Sequence, residues 1–268
     1  MKKPLFFGIV AILLVVFAVS GFFVLRYVIQ GKQQADRNDQ LASIAAGTTA
    51  ASTTSSTTAA TEETTAATTE SGEPVMIAGY EEIYNQNDDT VGWIKMEGTK
   101  IDYPVLQTPD EPNFYLKRNF DKEASEWGAI YAWEAADINK PSDNITLFGH
   151  CMKDGSMFAA LSAYTNKSAW ENNSLITFNT LYEYHTYKIF AVFKVSANVG
   201  NFAYHQFVDA ANEEEFDDFV ATCKDLAFYD TGITPKYGDK LITLSTCEYS
   251  QKDGRLAVIA VKKDDTAK

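Results

Sequence analysis

Hydrophobic and polar positions divide the chain into three zones. Residues 5–25, "LFFGIVAILLVVFAVSGFFVL", carry no charge and almost no polar side chain. At a helical rise of ~1.5 Å per residue such a run spans about 31 Å, the thickness of a bilayer's hydrocarbon core. Residues 48–69, "TTAASTTSSTTAATEETTAATT", contain only Thr, Ser, Ala and Glu. With no large apolar side chain to bury, they cannot offset their ordering entropy and are expected to be disordered. From Pro74 onward apolar residues return, now in short alternating runs.

Those runs read mostly as strands: "TKIDYPVLQ", "GAIYAW", "NITLFGH", "SLITFNT", "TYKIFAVFKVSA", "DKLITLSTC" and "RLAVIAVKK". They are rich in β-branched and aromatic residues, several alternate with period two, and turn-forming stretches separate them. The pattern predicts a mainly β domain, a sandwich or closed barrel, rather than a parallel α/β sheet. Three helices are expected around it. "YEEIYNQNDDTVGWI" begins as a short helix and ends at Asn87-Asp88-Asp89. "GSMFAALSAY" places Phe158 and Leu161 on one face. "NEEEFDDFVATCKDLAFY" has Phe216, Phe219, Val220, Cys223 and Leu226 in an apolar stripe, with Glu213 to Glu215 in the first turn where the helix dipole favours them. This last helix lies in a connection of about 40 residues, from Asn198 to Lys240, far longer than a hairpin loop; such insertions bind ligands or cover sites.

The zones imply an organisation. Residues 1–4 form a cytoplasmic N-terminus and 5–28 a transmembrane anchor. Residues 29–73 form a disordered Thr/Ser/Ala-rich tether, and 74–268 a folded domain. Lys2 and Lys3 precede the apolar run, so the positive-inside rule keeps the N-terminus in the cytoplasm and exports the rest. A cleaved signal peptide is the competing reading, because Ala18-Val19-Ser20 resembles a cleavage site, yet the apolar run continues past it. The formal net charge of −13 argues against nucleic acid as a partner and against docking on anionic lipid.

Three cysteines, none in a Cys-x-x-Cys pair, give neither a disulfide framework nor a zinc pattern. An odd count leaves at least one thiol free on an exported chain. Cys223 sits in the helical stripe and reads as packing. Cys247 ends a strand, Arg255 opens the next after "SQKDG", and two antiparallel strands would bring both to one rim. Of the three histidines, His150 ends the run "NITLFGH", whereas His185 and His205 have no supporting motif. A thiol beside positive charge, an imidazole to carry a proton and a guanidinium to meet an oxyanion suit acyl transfer. From residue types alone, structural roles for these side chains remain open.

The motifs narrow the choice. "TLSTC" with an arginine eight residues on, and "LFGHCMKDGSMF" about a hundred residues upstream, resemble the sortases, membrane-anchored cysteine transpeptidases of Gram-positive bacteria. The similarity runs from "DDTVGWIKMEGTKIDYPVLQ" through "RLAVIAV" and is most like class B. It implies a closed eight-stranded β-barrel with an N-terminal helical segment and a helix before the cysteine strand. It implies His150, Cys247 and Arg255 as the catalytic trio, with Ser245 and Glu248 lining the peptide groove; Asn113, in "EPNFYL" upstream of the histidine motif, is a further polar groove candidate by its position. The partners implied are a C-terminal sorting-signal peptide of surface proteins, cleaved after Thr, and an amine of a peptidoglycan precursor. No metal or organic cofactor is implied. Class B members commonly carry Asn after the histidine; here it is Cys151. Strand alternation should turn Cys151 away from whatever His150 faces, as a small packing residue, with a disulfide to Cys247 as the alternative. Competing functions are a thiol peptidase, a pilin-polymerising sortase and a catalytically silent adhesin.

Overall fold

The computed structural model describes residues 3–51, 74–198, 202–250 and 253–263. It divides into two units, Met1–Gln40 and Leu41–Lys268. The first unit belongs to one long helix, α1 (Lys3–Ala51), the one described helix long and apolar enough to cross a membrane.

The second unit is a closed barrel of eight strands. These are β1 (Thr90–Lys95), β2 (Asp102–Leu106), β3 (Ile130–Ala132), β4 (Asn144–Phe148), β5 (Leu175–Thr180), β6 (Thr186–Ser196), β7 (Leu241–Glu248) and β8 (Gly254–Lys262). Around the barrel the order is β1-β2-β3-β4-β7-β8-β6-β5. The β2–β3 and β4–β7 pairs are parallel and the others antiparallel. Closure leaves no open sheet edge with unpaired backbone groups.

Period-two alternation sorts each strand between two environments. On β7, Ile242 and Leu244 point into the barrel, where they meet Ile145 and Leu147 of β4 and Leu256 and Val258 of β8. Leu241 faces outward, with Ala257 and Ile259 of β8. That outer face is covered by α4 (Glu213–Leu226), whose Phe216, Phe219, Val220 and Cys223 are all buried against it. Asn212 caps α4 by accepting a hydrogen bond from the Glu215 N–H at 3.0 Å. Cys223 is fully buried and burial pushes its thiol pKa well up, so the packing expectation holds.

Three local features differ from expectation. The stretch "TVGWIK" after the first short helix, α2 (Ala78–Gln86), is a strand, β1. "FAALSAYT" is a 3₁₀ helix, Phe158–Thr165, not an α-helix. Its buried residues Phe158, Leu161 and Tyr164 recur every three positions, the 3₁₀ period. A short helix that the pattern did not predict, α3 (Lys167–Asn172), follows directly.

The disordered tether expected over 29–73 is corrected in its first part. Residues 29–51 continue α1 as helix, while 52–73 lie outside the described residues. Leu41, Ile44 and Ala45 supply the reason, spaced i, i+3, i+4 on one helical face. Leu41 is fully buried in a cluster with Tyr80 and Ile83 of α2 and Trp93 of β1, and Ile44 and Ala45 pack beside it. The polar residues between them had hidden this short apolar stripe. Leu41→Ala should therefore destabilise the barrel unit by about 2–4 kcal/mol, the range for a leucine cavity that relaxes only partly. Chemical denaturation of the full chain checks this; an unchanged midpoint would mean that the end of α1 does not support the barrel.

Candidate active site

The three motif residues converge because of two strand registers. β4 runs parallel to β7 with Phe148 opposite Ser245. Beyond β4, the Gly149 N–H donates to the Ser245 carbonyl at 3.1 Å, and Thr246 Oγ1 donates to the Gly149 carbonyl at 2.7 Å. This stitching carries the β4 end alongside β7 and delivers His150 beside Cys247. On the other side, β8 runs antiparallel with Arg255 directly opposite Cys247. The two side chains therefore leave the sheet on the same face. That face is the outer one, and the cleft it floors lies under the connection between β6 and β7.

The cleft has a volume of about 330 Å³. His150, Cys247 and Arg255 line it, with Asn113, Tyr131, Trp133, Phe148 and Ser245 from the sheet side and Phe202, Tyr204 and His205 from the long connection. The sequence expectation that this connection covers a site holds. His150 Nε2 donates to the Leu116 carbonyl at 2.7 Å; an oxygen of that kind can only accept, so Nδ1 is the nitrogen left for Cys247. The hydrogen bond from His150 lowers the Cys247 thiol pKa against the opposing effect of burial, and the Arg255 charge lowers it further. The same bond raises the His150 pKa, again against burial, with help from the Leu116 carbonyl. Both shifts favour a thiolate beside an imidazolium.

The groove residues divide. Ser245 lines the cleft but is buried, and its Oγ meets the Tyr204 hydroxyl at 2.7 Å, which ties the long connection to β7. Asn113 lines it at a left-handed φ of 60°, with its Oδ1 accepting from the Tyr131 hydroxyl at 2.9 Å. Glu248 is not among the cleft residues. As the neighbour of Cys247 on β7 it leaves the strand on the opposite face, where Lys194 meets its carboxylate at 2.9 Å and the Ser250 hydroxyl donates to it at 2.6 Å. Alternation acts likewise on Cys151. Its thiol faces Ser162 Oγ at 3.9 Å, away from the side His150 occupies, as expected; it is only half-buried, so it is a rim residue more than a packed one. Cys151, Cys223 and Cys247 are all free thiols. Among the described residues, no group of three or more His, Cys, Asp or Glu is placed to hold a metal ion.

Sequence reading missed three contributors. Leu116 acts through its carbonyl, which carries no residue signature. His205, set aside for want of a motif, lies in the cleft; its ring packs edge-on against Trp133 with centroids 5.0 Å apart. Gly128 sits just before β3 with φ +58°. A Cβ there would lie 2.7 Å from the Leu116 carbonyl oxygen, 2.8 Å from that of Tyr115 and 3.2 Å from His150 Cδ2. Only glycine lets the backbone pass so close behind the histidine's hydrogen-bond partner.

The Sortase domain family model matches residues 94–263. Sortase B of Listeria monocytogenes is 30% identical over 181 residues, 66% of this chain and 71% of the relative. Sortase B of Staphylococcus aureus is 28% identical over 183 residues, 68% of this chain and 73% of the relative. Among solved structures, Clostridium perfringens sortase B matches with a TM-score of 0.61 and 30% identity, over 69% of this chain and 100% of that one. A Staphylococcus aureus sortase B–substrate complex matches in fold with a TM-score of 0.74 and 24% identity, over 89% of this chain and 100% of that one.

Two predictions follow from the geometry. The Cys247 thiolate should persist to pH values below the ordinary thiol range and be lost only as pH falls through the lowered pKa. The His150 imidazolium should survive above the ordinary imidazole range and be lost as pH rises through the raised one. Alkylation of Cys247 by a small electrophile should therefore titrate at lower pH in the wild type than in His150→Ala, and coincident curves would refute the coupling. Gly128→Ala should cut the second-order rate of substrate acylation about tenfold or more, since a misplaced catalytic group commonly costs that or greater. Acylation kinetics beside a melting curve separate this from loss of fold.

Proposed function

Because the chain belongs to the sortase family, whose members are cysteine transpeptidases of cell-wall sorting, we propose that it cleaves a C-terminal sorting signal after Thr and transfers the acyl group to a peptidoglycan-precursor amine. The observation that carries this reading is the placement of Cys247 between His150 and Arg255 at one cleft. A hydrolytic role would use the same site with water as the second nucleophile, whereas an adhesive role would leave the class B likeness unexplained.

In this scheme the Cys247 thiolate attacks the carbonyl carbon of the peptide bond that follows Thr. The oxyanion that forms is met by the Arg255 guanidinium, whose side chain leaves β8 directly opposite the nucleophile. As the carbon–nitrogen bond breaks, the leaving amine takes a proton from His150 and a thioester remains on Cys247. The incoming amine then gives its proton back to His150 as it attacks the thioester, which forms the new amide and frees the thiolate. Asn113 and Ser245 border the same cleft and are assigned to the peptide groove. Glu248 is assigned instead to holding the strand end behind the nucleophile. The apolar part of α1 anchors the enzyme with its N-terminus in the cytoplasm and the barrel on the cell-wall side.

The deciding experiment incubates the enzyme with sorting-type peptides, with and without an added amine. Product joined to the amine supports the reading; water-cleaved acid alone, at every amine concentration, would make the protein a thiol peptidase. Cys247→Ala should abolish both products without lowering the melting temperature. Arg255→Lys keeps the charge but replaces a planar fork of donors by a point charge. It should lose at least about a hundredfold in kcat/KM, the scale of a lost oxyanion donor. Near wild-type turnover in that variant would move the oxyanion site to backbone N–H groups around Cys247.

A further inference from the structure

We propose that the barrel mouth opposite the active site binds a small carboxylate with an apolar body, its head held between Tyr187 and Lys262. The inference goes beyond the sorting reaction and does not rest on it. The β6–β8 ladder links the two ends of the barrel. At one end Val195 pairs with Arg255 beside the catalytic cleft; at the other, Tyr187 pairs with Lys262. Residues directly opposite in an antiparallel pair leave the sheet on one face, with Cβ atoms about 4.5–5.5 Å apart. Here that face is the barrel interior. Tyr187 belongs to the inner core with Ile189, and Lys262 follows Leu256, Val258 and Ala260 at period two. Lys240, whose carbonyl accepts from the Lys262 N–H at 2.7 Å, precedes Ile242 and Leu244 in the same way.

The interior of a small barrel is ordinarily filled by side chains. At this mouth it opens into a cavity of about 340 Å³, at the lower end of the small-ligand range of about 300–1,000 Å³. Ile138, Ile145 and Phe178 give it apolar walls, and Tyr187, His185, Lys240 and Lys262 a polar side. Some of those polar groups are committed. Lys240 Nζ meets Asp143 Oδ1 at 2.8 Å, and His185 Nε2 lies 3.2 Å from Glu183 Oε2. Two are not. Among the described residues, neither the Tyr187 hydroxyl nor the Lys262 ammonium has a hydrogen-bond or ion-pair partner. Tyr187 is only 2% exposed, and a buried hydroxyl with no protein partner takes one from outside the chain.

The chemistry of that partner follows from the two unspent groups. Burial pushes the Tyr187 pKa up, so its hydroxyl keeps its proton and can donate. The Lys262 ammonium only donates, and it carries a positive charge. Their common complement is an oxygen anion. A carboxylate has two oxygens, one for each donor, and charge-assisted hydrogen bonds of this kind are the stronger ones. An alcohol would leave the charge of Lys262 unmatched, and an amine would set two cations together. Inorganic phosphate would satisfy both donors but leave the walls of Ile138, Ile145 and Phe178 without an apolar partner.

The test titrates the full-length protein in detergent with hexanoate, hexan-1-ol, hexylamine and inorganic phosphate. Binding is read by ligand-observed NMR, with the signal of protein-free micelles subtracted. Hexanoate should bind with a Kd of about 1 mM or below, the scale for so few atoms, and at least about tenfold more tightly than the other three. Tyr187→Phe removes only the hydroxyl, and Lys262→Met keeps the stem without the charge. Each should weaken hexanoate about tenfold or more, as for a lost hydrogen bond to a charged group, with melting curves confirming that both variants fold. Alkylation of Cys247 should leave binding unchanged, which separates this site from Arg255 in the catalytic cleft. Equal affinity for any of the other probes, undiminished affinity in both variants, or loss of binding on alkylation overturns the inference. So does the absence of hexanoate binding up to about 10 mM, which would make the cavity a hydrated barrel mouth. The head-group comparison in the wild type decides the matter even where a variant fails to fold.

Discussion

The site depends above all on the parallel pairing of β4 with β7. A parallel neighbour places residues of the same face side by side and moves both strands toward the same end of the barrel. Phe148 opposite Ser245 sets the register, and the hydrogen bonds through Gly149 prolong it past the end of β4. Two residues further along, the imidazole lies beside the thiol. A slip of one residue would turn His150 to the barrel interior and Ile145 and Leu147 to the cleft. The burial of those two side chains therefore fixes the catalytic geometry as firmly as any contact within the site.

The antiparallel β8 completes the arrangement from the other side by setting Arg255 against Cys247. One rule, alternation along a strand, then explains four placements. Cys247 and Arg255 share the outer face, whereas Glu248 and Cys151 turn away from it despite being adjacent in sequence to Cys247 and His150. The electrostatics follow the packing. Apolar walls and partial burial alone would hold the thiol protonated, and the hydrogen bond from His150 with the charge of Arg255 reverses that tendency.

The long connection before β7 serves two purposes at once. Its helix, α4, closes the outer face of β6, β7 and β8 with Phe216, Phe219 and Cys223. Its earlier part brings Phe202, Tyr204 and His205 into the cleft that Cys247 lines. The Tyr204–Ser245 hydrogen bond links these parts to the strand that carries Cys247. A β scaffold thus presents His150, Cys247 and Arg255, and the long connection lies over them.

The sequence by itself determined seven of the eight strands of the barrel and the amphipathic helix of the long connection, and it singled out His150, Cys247 and Arg255, which line one cleft. Each rests on a local signal: period-two alternation, a 3.6-residue apolar stripe, or a motif of fixed spacing. Only the tertiary structure decided how those parts act on one another. The Leu116 carbonyl and Gly128 are backbone features, legible only once the loop carrying them lies behind His150. Glu248 was expected in the groove because it adjoins Cys247, but the face it occupies depends on where the strand pairs. The helix through residues 29–51 was obscured by its polar composition, since Leu41 gains its value only from Tyr80, Ile83 and Trp93, remote in sequence. His205 had no motif at all. Its significance comes from the approach of a loop residue to Trp133 and Phe148, contacts between segments that nothing in their spacing along the chain prescribes.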